Sequence, residues 1–338
     1  MERQGFALVG AGVFGERHAQ AYSRHHAAEL VAVCDLDLPR AEGVAARYGA
    51  RYATDDLARV LADPAVRAVS VATPDHAHRE VAVACARAGK GLLVEKPLAT
   101  TVEDAEAIVA AARAAGVTLM VDFHNRVSPP MLQARDAIRR GDLGAPRYVY
   151  ARLSNTTFVP TEMLRWSARS SALWFLASHM VDLVRWLLED EPARVYAVRR
   201  DGVLRAMGVD TADFHVATVE FRGGAVAVFE HAWILPRSHP TVKDLKLEIL
   251  GSAGSLNVDG SHSRALELYT AERATWPDLL APPAGEHLTG FVLDSIAYFV
   301  DAVTRGAPVV ATGEDGVAVT RILCAIEESA ASGLPIDL

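Results

Sequence analysis

Over residues 1–122 the chain alternates short apolar runs with amphipathic, alanine-rich stretches. The runs "FALVG", "LVAVCD", "AVSVAT", "GLLVEK" and "TLMVDF" are apolar at consecutive rather than alternate positions. That is the pattern of strands buried on both faces of a parallel sheet. Between them lie helical segments such as "HREVAVACARAG" and "TVEDAEAIVAAARAAG". The second opens on a Thr with early acids and closes at Gly116, good start and stop chemistry for a helix. Strand–helix alternation of this kind predicts an open, doubly wound α/β sheet with helices on both faces.

After Asn125 the pattern changes. A helix is expected from roughly Pro129 to Gly141, then a strand near "PRYVYARLS", then "SALWFLASHMVDLVRWLL" from Ser171 to Leu188. At helical spacing Phe175, Leu176, His179, Asp182, Leu183 and Trp186 share one broad face. Taken alone, this is either a core helix with a satisfied histidine or the wall of an active site. From Ala193 to Tyr269 come "ARVYAVRR", "FHVATVEF", "AVAVFEHAWIL", "LKLEILG" and "ALELYT", separated by turn-forming "RGG" and "GSAG". They predict a largely antiparallel sheet, and helical segments near 286–305 and 314–331 complete the chain. The expected division is a dinucleotide-binding domain over 1–124 and an α+β domain over 125–338.

The 338 residues are 51% hydrophobic, with a formal charge of -8. That charge argues against a nucleic-acid partner, whose phosphates demand a basic footprint. No basic amphipathic segment points to a membrane surface, and no stretch is apolar enough to span a bilayer. The N-terminus enters "GFALVGAG" without the features of a secretory leader, so the expected location is the cytoplasm. Cys34, Cys85 and Cys324 are odd in number and widely spaced, the first in a strand and the others in helices. They are expected to be reduced thiols, and no metal site is indicated.

"ALVGAGVFGERHAQAY" places Gly10, Gly12 and Gly15 in the GxGxxG spacing between a strand run and a helical segment, with Val13 and Phe14 inside the turn. The first glycine allows the tight turn, the second lets a pyrophosphate approach the backbone, and the third lets helix and strand pack closely. The helix N-terminus then offers free N–H groups and partial positive charge to the phosphates. Asp35 ends the next strand twenty residues beyond Gly15, where a carboxylate accepts the adenosine-ribose hydroxyls and repels a 2′-phosphate. The expected cofactor is NAD rather than NADP, although Arg40 lies near enough in sequence to contribute.

Ligands bind such sheets at the carboxyl ends of the strands. There the chain offers "ATPDHAH", "EKP" and "DFHNR", and the aromatic helix beyond them. Lys96 either hydrogen-bonds a reacting hydroxyl, with its pKa lowered by burial, or simply pairs with Glu95. His76, His78 and His124 are either ligand contacts or loop polar groups, the loop reading being preferred for His76.

In order, "GAGVFG", "VATPDHAHREVAVACARAGKGLLVEKPLATT" and "SHMVDLVRWLL" resemble the glucose–fructose oxidoreductase / inositol dehydrogenase (Gfo/Idh/MocA) family over nearly the whole chain. The Glu-Lys-Pro is the most specific element, and "LEILGSAGSL" and "ESAASGLPIDL" also fit. The resemblance implies a Rossmann domain followed by an α+β domain whose open sheet often mediates oligomerisation. It also implies NAD-dependent redox chemistry at a carbinol of a sugar, sugar derivative or cyclitol. Thr73 and Pro74 would line the nicotinamide side with His78 nearby, Glu95 would bind near the nicotinamide ribose, and Lys96 would contact the reacting oxygen. His179 would be the catalytic acid/base, and Asp182, one turn on and the nearest carboxylate in sequence, would face the substrate or instead pair with Arg185. His124 and Arg126 would bind polar substrate groups.

One departure stands out: where many of these dehydrogenases carry an Asp one turn before the histidine, this chain has Phe175, preceded by Trp174. Either His179 and Lys96 work without the acid, or the aromatic pair stacks on a sugar ring, or the site is rebuilt for another step. The alternatives to a dehydrogenase are a redox-neutral NAD-dependent glycosidase and a non-catalytic NAD-binding sensor. The alternating apolar residues of "AVAVFEHAWIL" point to a homo-oligomer, a dimer or tetramer.

Overall fold

The computed structural model describes residues 3–262, 265–270, 272–284 and 287–338. Its first part runs β1 (Gln4–Val9), α1 (Val13–Arg24), β2 (Ala28–Cys34), α2 (Leu38–Tyr48), β3 (Tyr52–Thr54), α3 (Leu57–Ala62), β4 (Val66–Val71), α4 (His78–Arg87), β5 (Gly91–Val94), α5 (Val102–Ala115) and β6 (Leu119–Val121). The strands form one parallel sheet in the order β3-β2-β1-β4-β5-β6. Phe6, Ala7, Leu8, Val31 and Leu93 are fully buried, as their unbroken apolar runs require. The order reverses between β1 and β4, which opens a ligand crevice at their carboxyl ends. Helix α5 starts and stops where its sequence dictates: Thr101 accepts the Asp104 N–H at 3.1 Å, and Gly116 closes the helix at φ 64°.

The second part continues with α6 (Pro129–Arg139), β7 (Pro146–Asn155), α7 (Ser178–Leu188), β8 (Pro192–Arg200), α8 (Val203–Ala206), β9 (Phe214–Phe221), β10 (Val226–Ala232), β11 (Lys243–Gly251) and β12 (Ser255–Asp259). Two-residue ladders follow, β13 (Leu268–Tyr269) with β14 (Ala274–Thr275) and β15 (Pro283–Ala284) with β16 (His287–Leu288). Then come α9 (Phe291–Arg305), α10 (Gly313–Ser332) and β17 (Ile336–Asp337).

The large second sheet has the order β12-β11-β7-β10-β9-β8-β17, antiparallel except where β10 meets β7. "ALELYT" does not join it. The hairpin closed by Gly251 N–H on the Gly254 carbonyl (2.8 Å) turns "SLNVD" back onto β11, taking that edge; Leu266 and Leu268 stay exposed. No helix among the described residues is long and apolar enough to cross a membrane. Cys34 lies in β2, Cys85 in α4 and Cys324 in α10, and no disulfide forms among the described residues.

The chain divides into two units, 1–127 with 283–320, and 128–282 with 321–338. A single boundary at 124/125 is therefore too simple, because residues 283–320 return to the first unit. The cause is hydrophobic. Helix α9 places Ile296, Phe299 and Val300, all fully buried, in the core that holds Phe6 and Tyr22. The Phe6 ring stacks on Tyr22 at 4.7 Å and meets Phe299 edge-on at 6.0 Å. The expected helix near 286–305 begins at Phe291, and residue 286 lies outside the described residues. If α9 is part of this core, Phe299→Ala will lower the unfolding free energy by about 3–5 kcal/mol in chemical denaturation. A loss below about 1 kcal/mol would detach the helix from it.

Candidate active site

The turn from β1 to α1 is built around glycine. Gly10 has φ 94°, and a Cβ there would lie 2.5 Å from the Ala72 carbonyl oxygen; one at Gly15 would lie 1.8 Å from that of Gly10. A Cβ at Gly12 would meet nothing within 4 Å, so that side of the turn is open to a ligand. Gly12 caps α1 with no side-chain hydrogen bond, leaving first-turn N–H groups for an anion. Val13 is exposed, and the Arg17 guanidinium lies 4.4 Å from the centre of the Phe14 ring.

Asp35 is tied to the same turn. Its Oδ2 accepts the Ala11 N–H at 2.7 Å and its Oδ1 the Asp37 N–H at 2.9 Å. Arg40 reaches both Asp35 (3.4 Å) and Asp37 (2.8 Å), so two carboxylates outweigh one guanidinium where a 2′-phosphate would sit. Across the crevice, Thr73 Oγ1 is buried without a hydrogen-bond partner in the structure. An orphaned hydroxyl beside an open glycine turn fits a bound dinucleotide.

The carboxyl ends of β5 and β6 hold a buried polar network. Tyr22 Oη lies 2.5 Å from Ser70 Oγ, and Ser70 Oγ 2.9 Å from His18 Nδ1. His18 Nε2 lies 3.1 Å from Glu95 Oε1 and 3.8 Å from Asp122 Oδ2. Asp122 Oδ1 in turn accepts the Ser295 hydroxyl at 2.5 Å. An ionised Glu95 only accepts, so His18 donates from Nε2. With Nε2 turned to Glu95, Nδ1 faces the Ser70 hydroxyl, which in turn lies against Tyr22 Oη.

Charge in this pocket is set by burial and neighbours together. Burial alone would raise Glu95, but the His18 hydrogen bond and the charges of His18, Lys96 and His124 hold it below the usual carboxylate range. Burial pushes Asp122 up to about 7, and the Glu95 charge adds to the push. Lys96, at 5% exposure, is lowered by burial to about 8 against the opposing pull of Glu95, Asp75 and Asp122. Both protonation states of the lysine are therefore accessible near neutral pH, which a proton-handling group requires.

Other expected contacts have different surroundings. His78 is buried with Nδ1 2.9 Å from the Pro97 carbonyl and Nε2 3.0 Å from the Thr73 carbonyl, so it ties the two crevice loops together. Arg126 bonds the Val310 carbonyl (3.2 Å) and Asp315 (3.1 Å). Its guanidinium, expected on the substrate, is instead drawn to the start of α10 by an ion pair at 4% exposure. His124 is buried, its ring 5.7 Å from that of Phe291. His18, Tyr22, Ser70, Asp122 and Ser295 escaped the sequence reading. The available signal was the place of His18 in "GVFGERHA", three residues past Gly15, but its partner Glu95 stands 77 residues away.

In the second unit, the stretch before α7 is a π-type turn over Leu173–Ala177. One extra residue per turn rotates the side chains before Ser178 away from regular α-helical spacing. Phe175 turns to Trp166 (6.3 Å) and Trp233 (5.9 Å), whereas Trp174 lines a separate recess. The aromatic pair therefore splits rather than forming one stacking platform. His179 and Asp182 are both buried in α7, and Arg185 makes two bonds to Glu191, at 2.9 and 2.6 Å.

Residues 4–123 match an oxidoreductase family with an NAD-binding Rossmann fold, and residues 131–257 match the GFO/IDH/MocA C-terminal domain. Inositol 2-dehydrogenase 1 of Saccharopolyspora erythraea is 32% identical over 98% of this chain and 95% of its own length. The 1,5-anhydro-D-fructose reductase of Ensifer adhaerens is 30% identical over 98% of each chain. A crystal structure of GenD2 from gentamicin A biosynthesis, in complex with NAD, superposes with a TM-score of 0.88 at 30% identity, covering 100% of this chain and 97% of that one. With these matches, the glycine turn, the carboxylate at the end of β2 and the buried lysine at the end of β5 belong to an NAD-dependent oxidoreductase. The chain belongs to the GFO/IDH/MocA family.

The Asp122 carboxyl has a pH consequence. Its folded pKa, about 7, exceeds its ordinary 3.8, so the folded chain binds the extra proton between those values. Its stabilising contribution is full below pH 3.8 and is lost as pH rises through about 7. Asp122→Asn should therefore gain in melting temperature relative to the parent, without NAD, between pH 4.5 and 8. A difference independent of pH would refute this assignment.

Proposed function

We propose that this oxidoreductase acts on a secondary carbinol, or the corresponding ketone, of a sugar, sugar derivative or cyclitol. The observation that carries the reading is Lys96: an amine in a dry crevice at the end of β5, lowered to about 8. The inositol and anhydrofructose activities of the relatives support the substrate class. Gly10, Gly12, Val13, Phe14, Gly15 and Asp35 would hold the adenosine and pyrophosphate, with Thr73, Pro74 and Glu95 toward the nicotinamide. NAD supplies, when bound, the acceptor for the hydride leaving the carbinol carbon.

The chain's own task is alignment and proton handling. Neutral Lys96 takes the hydroxyl proton during oxidation, and the ammonium returns it to the ketone oxygen in the reverse direction. His179 shares that proton handling. Glu95, kept ionised by the His18 hydrogen bond, opposes the lowering by burial, so that the lysine keeps its proton until pH approaches 8. His78 acts by holding the Thr73 and Pro97 loops. With Phe175 where a carboxylate is otherwise expected, the imidazole works without that partner.

Two further parts of the reading concern the whole molecule. On the sheet face opposite α7, the paired positions Leu250, Tyr148 and Val226 form an apolar row, with Tyr196 on the same face and about half exposed. A row of this kind is covered in a homo-oligomer, a dimer or tetramer. A sedimentation mass of a single chain at micromolar concentration removes that reading. Unbridged thiols at Cys34 and Cys85 support a cytoplasmic setting.

Lys96→Ala is expected to lower kcat by about 10²–10⁴ with NAD affinity nearly intact. In the parent, kcat/KM for carbinol oxidation should rise with pH and level off near 8, a limb that the variant lacks. Unchanged turnover would take Lys96 out of the mechanism. Aglycone release from an aryl glycoside without net NADH would replace the dehydrogenase with a redox-neutral glycosidase.

A further inference from the structure

The second unit carries a recess of about 350 Å³, the size of a hexose ring with a few waters, to which no role has been given. Trp174 stands in its wall, half-exposed and turned away from the aromatic contacts that occupy Phe175. Arg169 and Ser171, from the segment leading into the π-type turn, line it together with His215 of β9.

Its charges nearly cancel. Arg199 pairs with Glu327, and Arg205 pairs with Asp201 at 3.1 Å and Asp210 at 2.8 Å. Arg169 is the guanidinium there without an ion pair among the described residues. Three carboxylates in the wall disfavour an anion, and three guanidinium groups disfavour a cation.

Two buried polar atoms in the wall remain without partners. His215, at 1% exposure, sits with Nε2 3.2 Å from Glu327 Oε2, and burial lowers its pKa to about 3, so the ring is neutral. A neutral imidazole donating from Nε2 presents Nδ1 as an acceptor, and that atom has no hydrogen-bond partner; nor has Ser171 Oγ. Thr211, by contrast, is satisfied by the Ser170 carbonyl at 2.7 Å. Buried polar atoms of this kind call for a ligand that both donates and accepts. Phosphate at neutral pH offers little to an acceptor nitrogen, and an apolar ligand would seal both atoms away unsatisfied.

We infer that this recess binds a neutral pyranose or cyclitol ring. One hydroxyl donates to His215 Nδ1, a neighbouring one bonds Ser171 and Arg169, and the C–H face lies on Trp174. Such a ring comes either as a free monosaccharide or as the second ring of a glycosylated substrate. Hydroxyls in both donor and acceptor roles, beside an indole, are what a sugar ring matches and a simple ion does not.

The test is a fluorescence and calorimetric titration of the full chain, loaded with NAD, by methyl α-D-glucopyranoside, myo-inositol and maltose. Saturable binding is expected, weakened about tenfold, or ~1.4 kcal/mol, by Arg169→Ala and by Trp174→Ala. Arg169→Ala changes an exposed side chain, so it keeps the fold even where a change at buried His215 does not. Lys96→Ala should leave this binding intact, which separates failure here from failure of the catalytic reading. A KM raised by Arg169→Ala for a disaccharide, but not for the free sugar, identifies the second ring of a substrate. Weakened binding with both KM values unchanged identifies a free sugar. Parent-like binding in both variants, or no saturable binding of any probe, overturns the site.

Discussion

Burying ionisable groups together is the constraint on which the first unit depends. Lys96, Glu95, Asp122 and His18 are all at most 7% exposed. An isolated charge there would cost far more than a small domain's net stability, so each group needs a partner or a shifted pKa. Glu95 takes the first course, through His18. Asp122 takes the second, by rising to about 7, and Lys96 by falling to about 8. The arrangement holds only because five separated segments converge: α1 supplies His18 and Tyr22, β4 Ser70, the ends of β5 and β6 the charged groups, and α9 Ser295.

That convergence explains why α9 belongs to the first unit. Its apolar side, Ile296, Phe299 and Val300, completes the core on Phe6 and Tyr22, while Ser295 reaches Asp122 from the same helix. Packing and polar satisfaction are thus achieved by one element. The tyrosine does both jobs as well, stacking on Phe6 while its hydroxyl starts the chain of hydrogen bonds toward Glu95.

In the second unit the π-type turn has a comparable influence. It shifts Phe175 away from the spacing to His179 that a regular α-helix would give. Phe175 sits among Trp166 and Trp233, and Trp174, about a quarter-turn round the helix, stands in the recess with His215.

Local chemistry was legible in the sequence. Unbroken apolar runs identify buried parallel strands, alternation identifies the mixed sheet, and the glycine spacing with Asp35 identifies the nucleotide turn, because each depends on residues within one or two turns of each other. The Glu95-Lys96-Pro97 segment likewise marked the chemical end of β5. Long-range pairing was not legible. Arg126 looked like a substrate contact, but its guanidinium bonds Asp315, 189 residues on, and "ALELYT" looked like a strand of the large sheet, whose edge "SLNVD" occupies. The assignment of α9 to the first core, the partner of His18 and the splitting of Trp174 from Phe175 were decided by tertiary structure alone. An amphipathic face or a buried polar atom states what kind of partner it needs, and only the folded chain determines which residue arrives there.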